Sequence, residues 1–195
     1  MRTETTTRKL YQFAELDEET QQKALEKLYD INVNHEWHDC TIEDVKEIGK
    51  ILGIRVDVVY FSGFSSQGDG ACFEGSYEYA KGSGKVIRAY APQDTELHGI
   101  ADRLTAIQRP YMYGLYAHVK HRGHYYHENC TEIDIDHDGY YDTLPYDDIV
   151  EELRDFMRWI YSRLEKEYEY LTSEESIKET IEANEYEFDV NGDLA

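Results

Sequence analysis

IRVDVVYFSGFSSQGDGACFEGSYEY, residues Ile54 to Tyr79, is two β-rich runs joined by a glycine-rich loop. Ile54 to Phe61 alternates and is rich in β-branched residues, the pattern of a strand with one buried face. Ser62 to Gly70 carries three glycines and three serines, so it reads as a connection. Ala71 to Tyr79 then reads as a second strand paired with the first. Just upstream, Asn34 to Leu52 places Trp37, Ile42, Val45, Ile48 and Leu52 on one side of a helix. Gly53 is positioned to end that helix as a left-handed cap.

Working outward, Thr5 to Phe13 reads as a first strand. Asp17 opens a helix whose apolar stripe is Ala24, Leu25, Leu28 and Ile31, and the simple picture is an antiparallel helix pair followed by a strand. Downstream, Lys81 to Gly84 is a flexible turn and Lys85 to Tyr90 a further strand. Asp94 to Gln108 is a helix with Leu97, Ile100, Ala101, Leu104 and Ile107 inward, stopped at Arg109-Pro110. Tyr111 to His121 and His124 to Asp136 read as a hairpin turning at Arg122-Gly123, which sets His118 opposite His127 and His121 opposite His124. Pro145 suits the first turn of the longest helix, to Tyr170. A short helix over Ser173 to Ala183 and a strand over Tyr186 to Val190 complete the chain. The expected fold is α+β, a mostly antiparallel sheet with four to five helices packed on it. One domain over residues 1–195 is expected, with an acidic C-terminal third, residues 128–195.

That third carries the charge. The chain of 195 residues has formal net charge −21. Residues 128–195 hold 22 acids against 5 bases, while residues 1–127 hold 19 against 15. Asymmetry of this kind speaks to partners and solubility rather than to fold. Hydrophobic content of 41% argues against disorder. No run approaches the roughly 18 apolar residues of a membrane span. The opening MRTETTTRKLYQF lacks the apolar core of a signal peptide. Cys40, Cys72 and Cys130 are odd in number and form no CxxC pair. A soluble protein with free thiols in a reducing compartment is therefore expected.

Tyr60 to Tyr79, YFSGFSSQGDGACFEGSYEY, resembles a motif of small acidic bacteriophage and prophage proteins labelled antitoxins of a toxin–antitoxin stability system. TRKLYQFAELDEETQQKALEKLYDINV near the start and EANEYEFDVNGDL near the end are similar to the same family, so the resemblance covers most of the chain. It implies a phage-encoded accessory protein that acts on host machinery in the bacterial cytoplasm. It transfers no catalytic role to Gly63, Gln67, Asp69 or Glu74.

Three groups of residues are candidates for function. The first is the acidic set Asp134, Asp136, Asp138, Asp142, Asp147, Asp148, Glu151, Glu152 and Asp155, the α-helical members of which fall mostly on the outer side of their helix. Carboxylates at a density comparable to DNA phosphates can occupy a Lys/Arg groove built for nucleic acid. The plainer alternative is a solvating face. The second is Asp134-Ile-Asp136-His-Asp138-Gly139, the first half of a calcium loop. Its twelfth position, normally a bidentate Glu, is Pro145, and Asp142 stands at the ninth. An acidic strand end running into an Asp-Gly turn is the simpler reading. The third is His118, His121, His124 and His127, of which His118 and His127 are expected to share a strand face and could share an ion. Exposed sheet and turn histidines are the simpler reading. Cys72 reads as a buried free thiol, and Ser62 to Gly70 lacks the lysine and spacing of a phosphate loop.

The function expected is a non-catalytic, phage-encoded anti-defence inhibitor. Its acidic surface would block a host nucleic-acid-binding complex such as a CRISPR effector or a restriction enzyme. No cofactor, metal, membrane or direct nucleic acid contact is expected, and a homodimer is allowed. Two alternatives stand: an antitoxin-like protein binding a basic toxin, and a metal-dependent hydrolase built on the His118–His127 hairpin.

Overall fold

A computed structural model describes residues 1–3, 8–139, 141 and 143–195. The described elements are β1 (Tyr11–Gln12), α1 (Glu18–Lys27), α2 (Asp39–Leu52), β2 (Ile54–Phe61), β3 (Ala71–Glu78), α3 (Ser83–Tyr90), α4 (Thr95–Gln108), β4 (Leu115–His121), β5 (Thr131–His137), α5 (Tyr146–Leu171), α6 (Glu174–Ala183) and β6 (Glu187–Phe188). The fold is α+β. The chain divides into two compact units, one made of Met1–Trp37 with Lys166–Ala195 and the other of His38–Glu165. The division does not fall where the charge changes.

In the larger unit, β2-β3-β4-β5 form an antiparallel meander. Its inner face buries Ile54, Val56, Phe73, Tyr77, Leu115, Ala117, Val119 and Ile133. Against it pack the apolar stripes of the helices: Val45, Ile48 and Leu52 of α2, Leu97, Ile100 and Leu104 of α4, and Ile149, Leu153, Phe156 and Ile160 of α5. Phe73 meets Phe156 edge-on at 6.0 Å. Each such side chain contributes about 1.5–3 kcal/mol on burial. Local chemistry sets the ends. Gly53 caps α2 at φ +85°, a conformation that costs glycine little. The Asp94 carboxylate caps α4 by accepting from the Leu97 amide at 3.1 Å and also accepts from the Trp159 indole at 2.9 Å. Gln108 is wholly buried and fully used: its amide nitrogen donates to the Leu115 carbonyl at 2.7 Å, and its carbonyl accepts from the Leu115 amide at 3.2 Å. It thereby ties the end of α4 to the start of β4 where water cannot reach.

The smaller unit pairs β1 with β6, Tyr11 opposite Phe188. Its core is Phe13, Leu16, Ala24, Leu25, Ile177, Ile181 and Phe188. Asp17 caps α1 through the Thr20 amide at 2.8 Å, and Ser173 caps α6 through Ser176 at 3.2 Å. The expected first strand is confined, among the described residues, to Tyr11–Gln12, and Thr5 to Thr7 lie outside them. Helices α1 and α2, expected as an antiparallel pair, belong to different units. The second helix starts at Asp39, not Asn34.

Two expectations are corrected. Lys85 to Tyr90 is not a strand but part of α3. Ile87 is fully buried and Val86 is half exposed, which suits one helical contact point rather than a strand's alternating face. Arg88 donates back to the Gly84 carbonyl at 2.8 Å, one turn away. The hairpin also does not turn at Arg122-Gly123. His118 stands opposite Asp134 and His121 opposite Thr131, with residues 122–130 as the loop. The tight turn would have set buried Ala117 opposite Glu128. The observed register sets Ala117 opposite Ile135 and Val119 opposite Ile133, and burial decides register when one face is covered.

Gly75 lies beside the irregularity between Val56 and Val58 of β2. A Cβ there would fall 1.8 Å from the Arg55 carbonyl oxygen, whereas one on Gly63 would meet only the Asp69 side chain at 3.4 Å. Gly75→Ala is therefore expected to destabilise the protein by about 2–3 kcal/mol and Gly63→Ala by a few tenths. Thermal denaturation followed by circular dichroism distinguishes them; equal melting temperatures would contradict this reading of the bulge.

Candidate partner-binding surface

The acidic residues do not form one continuous face. On β5, Asp134 and Asp136 alternate with buried Ile133 and stand exposed on the outer side of the sheet. Their cross-strand neighbours are His118 and Tyr116. Burial, and then the hydrogen bond to Asp136, raise the Tyr116 phenol above its ordinary pKa. Asp138 follows, also exposed. Asp142 lies outside the described residues. Helix α5 packs on the opposite, inner side of the sheet through Phe156.

At the start of α5, Asp147 and Asp148 are exposed in the first turn, where the helix dipole favours acids. Further along, the sequence reading is corrected. Glu152 is 6% exposed, not on the outer side. Its Oε1 accepts from Arg103 Nε of α4 at 2.5 Å. Asp155 is half-buried and accepts from Arg103 Nη2 at 2.8 Å and from Arg158 Nη2 at 2.5 Å. Glu151 is exposed but accepts from the same Arg158 nitrogen at 2.5 Å, and Arg158 also lies 3.5 Å from Glu128. Two arginines thus neutralise the middle of the set. Burial outweighs the ion pair at Glu152 and lifts its carboxyl above the usual range. The hydrogen bond to Glu152 strengthens the proton hold of Arg103. The exposed aspartates that remain, Asp134, Asp136, Asp138, Asp147 and Asp148, form no ion pair with a lysine or arginine among the described residues.

The histidines do not make the expected cross-strand pair. His118 faces Asp134, and His124 and His127 lie in the 122–130 loop. His121 sits against Tyr60 at 5.0 Å and Tyr126 at 5.3 Å, with Nε2 2.9 Å from the Tyr125 carbonyl. His127 Nε2 is 3.4 Å from Cys130 Sγ, and its Nδ1 accepts from the Asn129 amide at 3.2 Å. Accepting at Nδ1 places the proton of a neutral ring on Nε2, so His127 presents an N–H to the sulfur and is not its base. Asp134 and Asp136 belong to a strand, not to a loop wrapping an ion. Among the described residues, no three His, Cys, Asp or Glu side chains converge as metal ligands. Burial pushes the Cys72 thiol up to about 12, which keeps it protonated and unreactive at neutral pH.

Sequence reasoning missed what the glycine loop does. Residues 62–70 and 122–130 meet at one end of the sheet. A Cβ on Gly70 would lie 2.6 Å from His127 Cα, and one on Gly68 would meet the Tyr125 ring at 3.5 Å. Tyr126 stacks on Tyr60 at 5.6 Å. Asp69 accepts from the Ser65 and Ser66 amides at 3.0 and 2.6 Å, and Tyr161 donates to the Gly63 carbonyl at 3.1 Å. The legible signal was the pairing of Gly68-Asp69-Gly70 with an aromatic run, Tyr125-Tyr126, in a second loop.

Two expectations follow. The Ser66 and Ser65 amides hold the Asp69 carboxyl below its usual range. A depressed folded pKa means that the loop stabilisation is complete above the ordinary carboxylate range and is lost as pH falls through the lowered value. Asp69→Ala should therefore lower the protection factors of the Ser65 and Ser66 amides by about tenfold at neutral pH, and acid should lower them in the wild type once the slower intrinsic exchange at low pH is divided out; NMR-detected exchange decides it. Removing Arg103 strands a buried carboxylate, so Arg103→Met should cost about 1–3 kcal/mol at neutral pH and more than Glu152→Gln. That gap should narrow as acid protonates the raised Glu152, as read by denaturant unfolding at several pH values.

No helix among the described residues is long and apolar enough to cross a membrane. No curated protein and no solved structure matches the chain. Residues 37–174, spanning α2 through α5 and the whole of the larger unit, match a family described as a domain of unknown function. The chain belongs to that family, DUF8835.

Proposed function

We propose that this protein is a non-catalytic, phage-encoded anti-defence inhibitor that acts in the cytoplasm of the bacterial host. It binds a basic, nucleic-acid-binding surface of a host complex, of the CRISPR-effector or restriction-enzyme kind, and denies that surface to nucleic acid. The observation that carries this reading is the set of exposed aspartates that form no ion pair with a lysine or arginine among the described residues, Asp134, Asp136, Asp138, Asp147 and Asp148, in a chain of net charge −21. Along β5, alternate residues recur about every 7 Å, so Asp134 and Asp136 place carboxylates at roughly twice the 3.4 Å axial rise between phosphates on one DNA strand. The first turn of α5 supplies a second acidic group. Attraction of this kind reaches about 8 Å in physiological salt, so association should be fast and weakened by salt.

The test is capture from bacterial lysate at low and high salt by the wild type and by a variant with all five aspartates changed to asparagine. The wild type is expected to retain a nucleic-acid-binding complex in a salt-sensitive way and to compete with that complex's nucleic acid. The variant should bind about tenfold to a hundredfold more weakly. Undiminished capture by the variant refutes the acidic-surface reading. Retention of a small basic toxin instead would make the protein an antitoxin.

A further inference from the structure

An open cleft of about 690 Å³ lies against α3 and the end of α4. Gly84, Lys85 and Arg88 of α3 line it, with Asp102 of α4, Arg109 just after α4 and Tyr79 just after β3. The volume falls in the range of small-molecule sites. The chain holds 41 Asp and Glu against 20 Lys and Arg, so a surface cation has acids in excess to pair with. Arg88 does pair, donating to both oxygens of Asp102 at 3.2 and 2.6 Å. Lys85 and Arg109 are exposed and form no ion pair among the described residues. Lys81, just before Gly82, forms none either. Gly82 also lines the cleft, and a Cβ there would meet nothing within 4 Å. The aromatic wall has its own support. Tyr79 rests on Tyr113 with ring centroids 4.4 Å apart. Met112 and Tyr113 take φ of +53° and +64°, a conformation that costs residues with side chains free energy. Hydrogen bonds from the Tyr113 amide to the Gln108 carbonyl at 3.0 Å and from the Met112 amide to the Arg109 carbonyl at 3.3 Å hold this turn. The same turn therefore carries Arg109 and sets Tyr113 against Tyr79, so a cation and a ring are fixed together.

We propose that this cleft binds a nucleoside monophosphate. The proposal stands apart from the acidic surface and does not depend on it. A phosphate monoester offers only acceptors and charge, and Lys85 and Arg109 offer only donors and the opposite charge. The Gly84 amide, second in α3, is one of those a helix start leaves without a helical partner, and it adds a neutral donor. Asp102 does not repel the phosphate, because Arg88 already balances it. The base lies on Tyr79. Stacking on an aromatic ring tolerates any base, since each presents a π-face, so the site selects for a base joined to a phosphate rather than for one base. Inorganic phosphate uses the cations alone and a nucleoside uses the ring alone; a nucleotide uses both.

The experiment is an NMR titration of the full chain with AMP, inorganic phosphate and adenosine as separate probes. The expected result is saturable AMP shifts at Gly82, Gly84, Lys85 and Arg109, with an affinity on the order of millimolar or tighter. Phosphate and adenosine should each bind about tenfold more weakly than AMP. K85Q/R109Q should weaken AMP about tenfold or more. Tyr79→Leu should weaken AMP about fivefold or more and leave phosphate binding unchanged. Lys85 and Arg109 are exposed, so their variant decides the question even where the Tyr79 variant folds poorly. K166Q/K178Q removes the same charge elsewhere on the chain and should leave AMP binding intact. Absence of saturable AMP shifts, phosphate or adenosine binding as tightly as AMP, or equal loss in K166Q/K178Q overturns the nucleotide site.

Discussion

Ala117 opposite Ile135 and Val119 opposite Ile133 fix β4 against β5, and much of the molecule follows from that register. With these side chains on the covered face, Glu132, Asp134 and Asp136 have only the outer face to occupy. A shift of one residue would bury three carboxylates and expose the isoleucines, at a cost no surface interaction repays. The same register leaves residues 122–130 without strand partners beyond Arg122 and Cys130. That surplus chain becomes the loop that covers Gly68 and Gly70. The sheet's pairing therefore determines both where the acids point and why an aromatic loop exists.

The second constraint is electrostatic. Helix α5 carries acids at 147, 148, 151, 152 and 155, and one turn of the helix brings some of them round towards α4. Arg103 and Arg158 meet those that turn inward. Burying a carboxylate without such partners would drive it to bind a proton. The protein thus separates two kinds of acid on one helix: those whose charge is balanced within the fold, and those whose charge is left to solvent or to a partner. The acidic surface is smaller than the composition implies, and more sharply placed.

Much of the fold was legible in the residues. IRVDVVYF alternates, Gly53 ends α2, Asp17, Asp94 and Ser173 sit at helix starts, and each of these signals acts over a few neighbouring positions. What escaped the sequence depends on distant partners. Val86 and Ile87 are β-branched, as strand residues often are, yet Ile87 packs into the core from α3. Arg122-Gly123 looks like a hairpin turn, and only the facing isoleucines exclude it. Glu152 looks like any other acid of α5, because Arg103 lies 49 residues away. The exposed aspartates were legible because exposure needs no partner.

The contact of Gly70 with the backbone of His127 has a consequence for how this surface varies among relatives. Two loops from different hairpins touch main chain to main chain at Gly70 and His127, and at Gly68 the Tyr125 ring fills the space a side chain would need. Neither loop has slack to absorb a change in the other. They form one module of exchange: residues 62–70 and 122–130 must be inherited, or grafted onto another scaffold, as a matched pair.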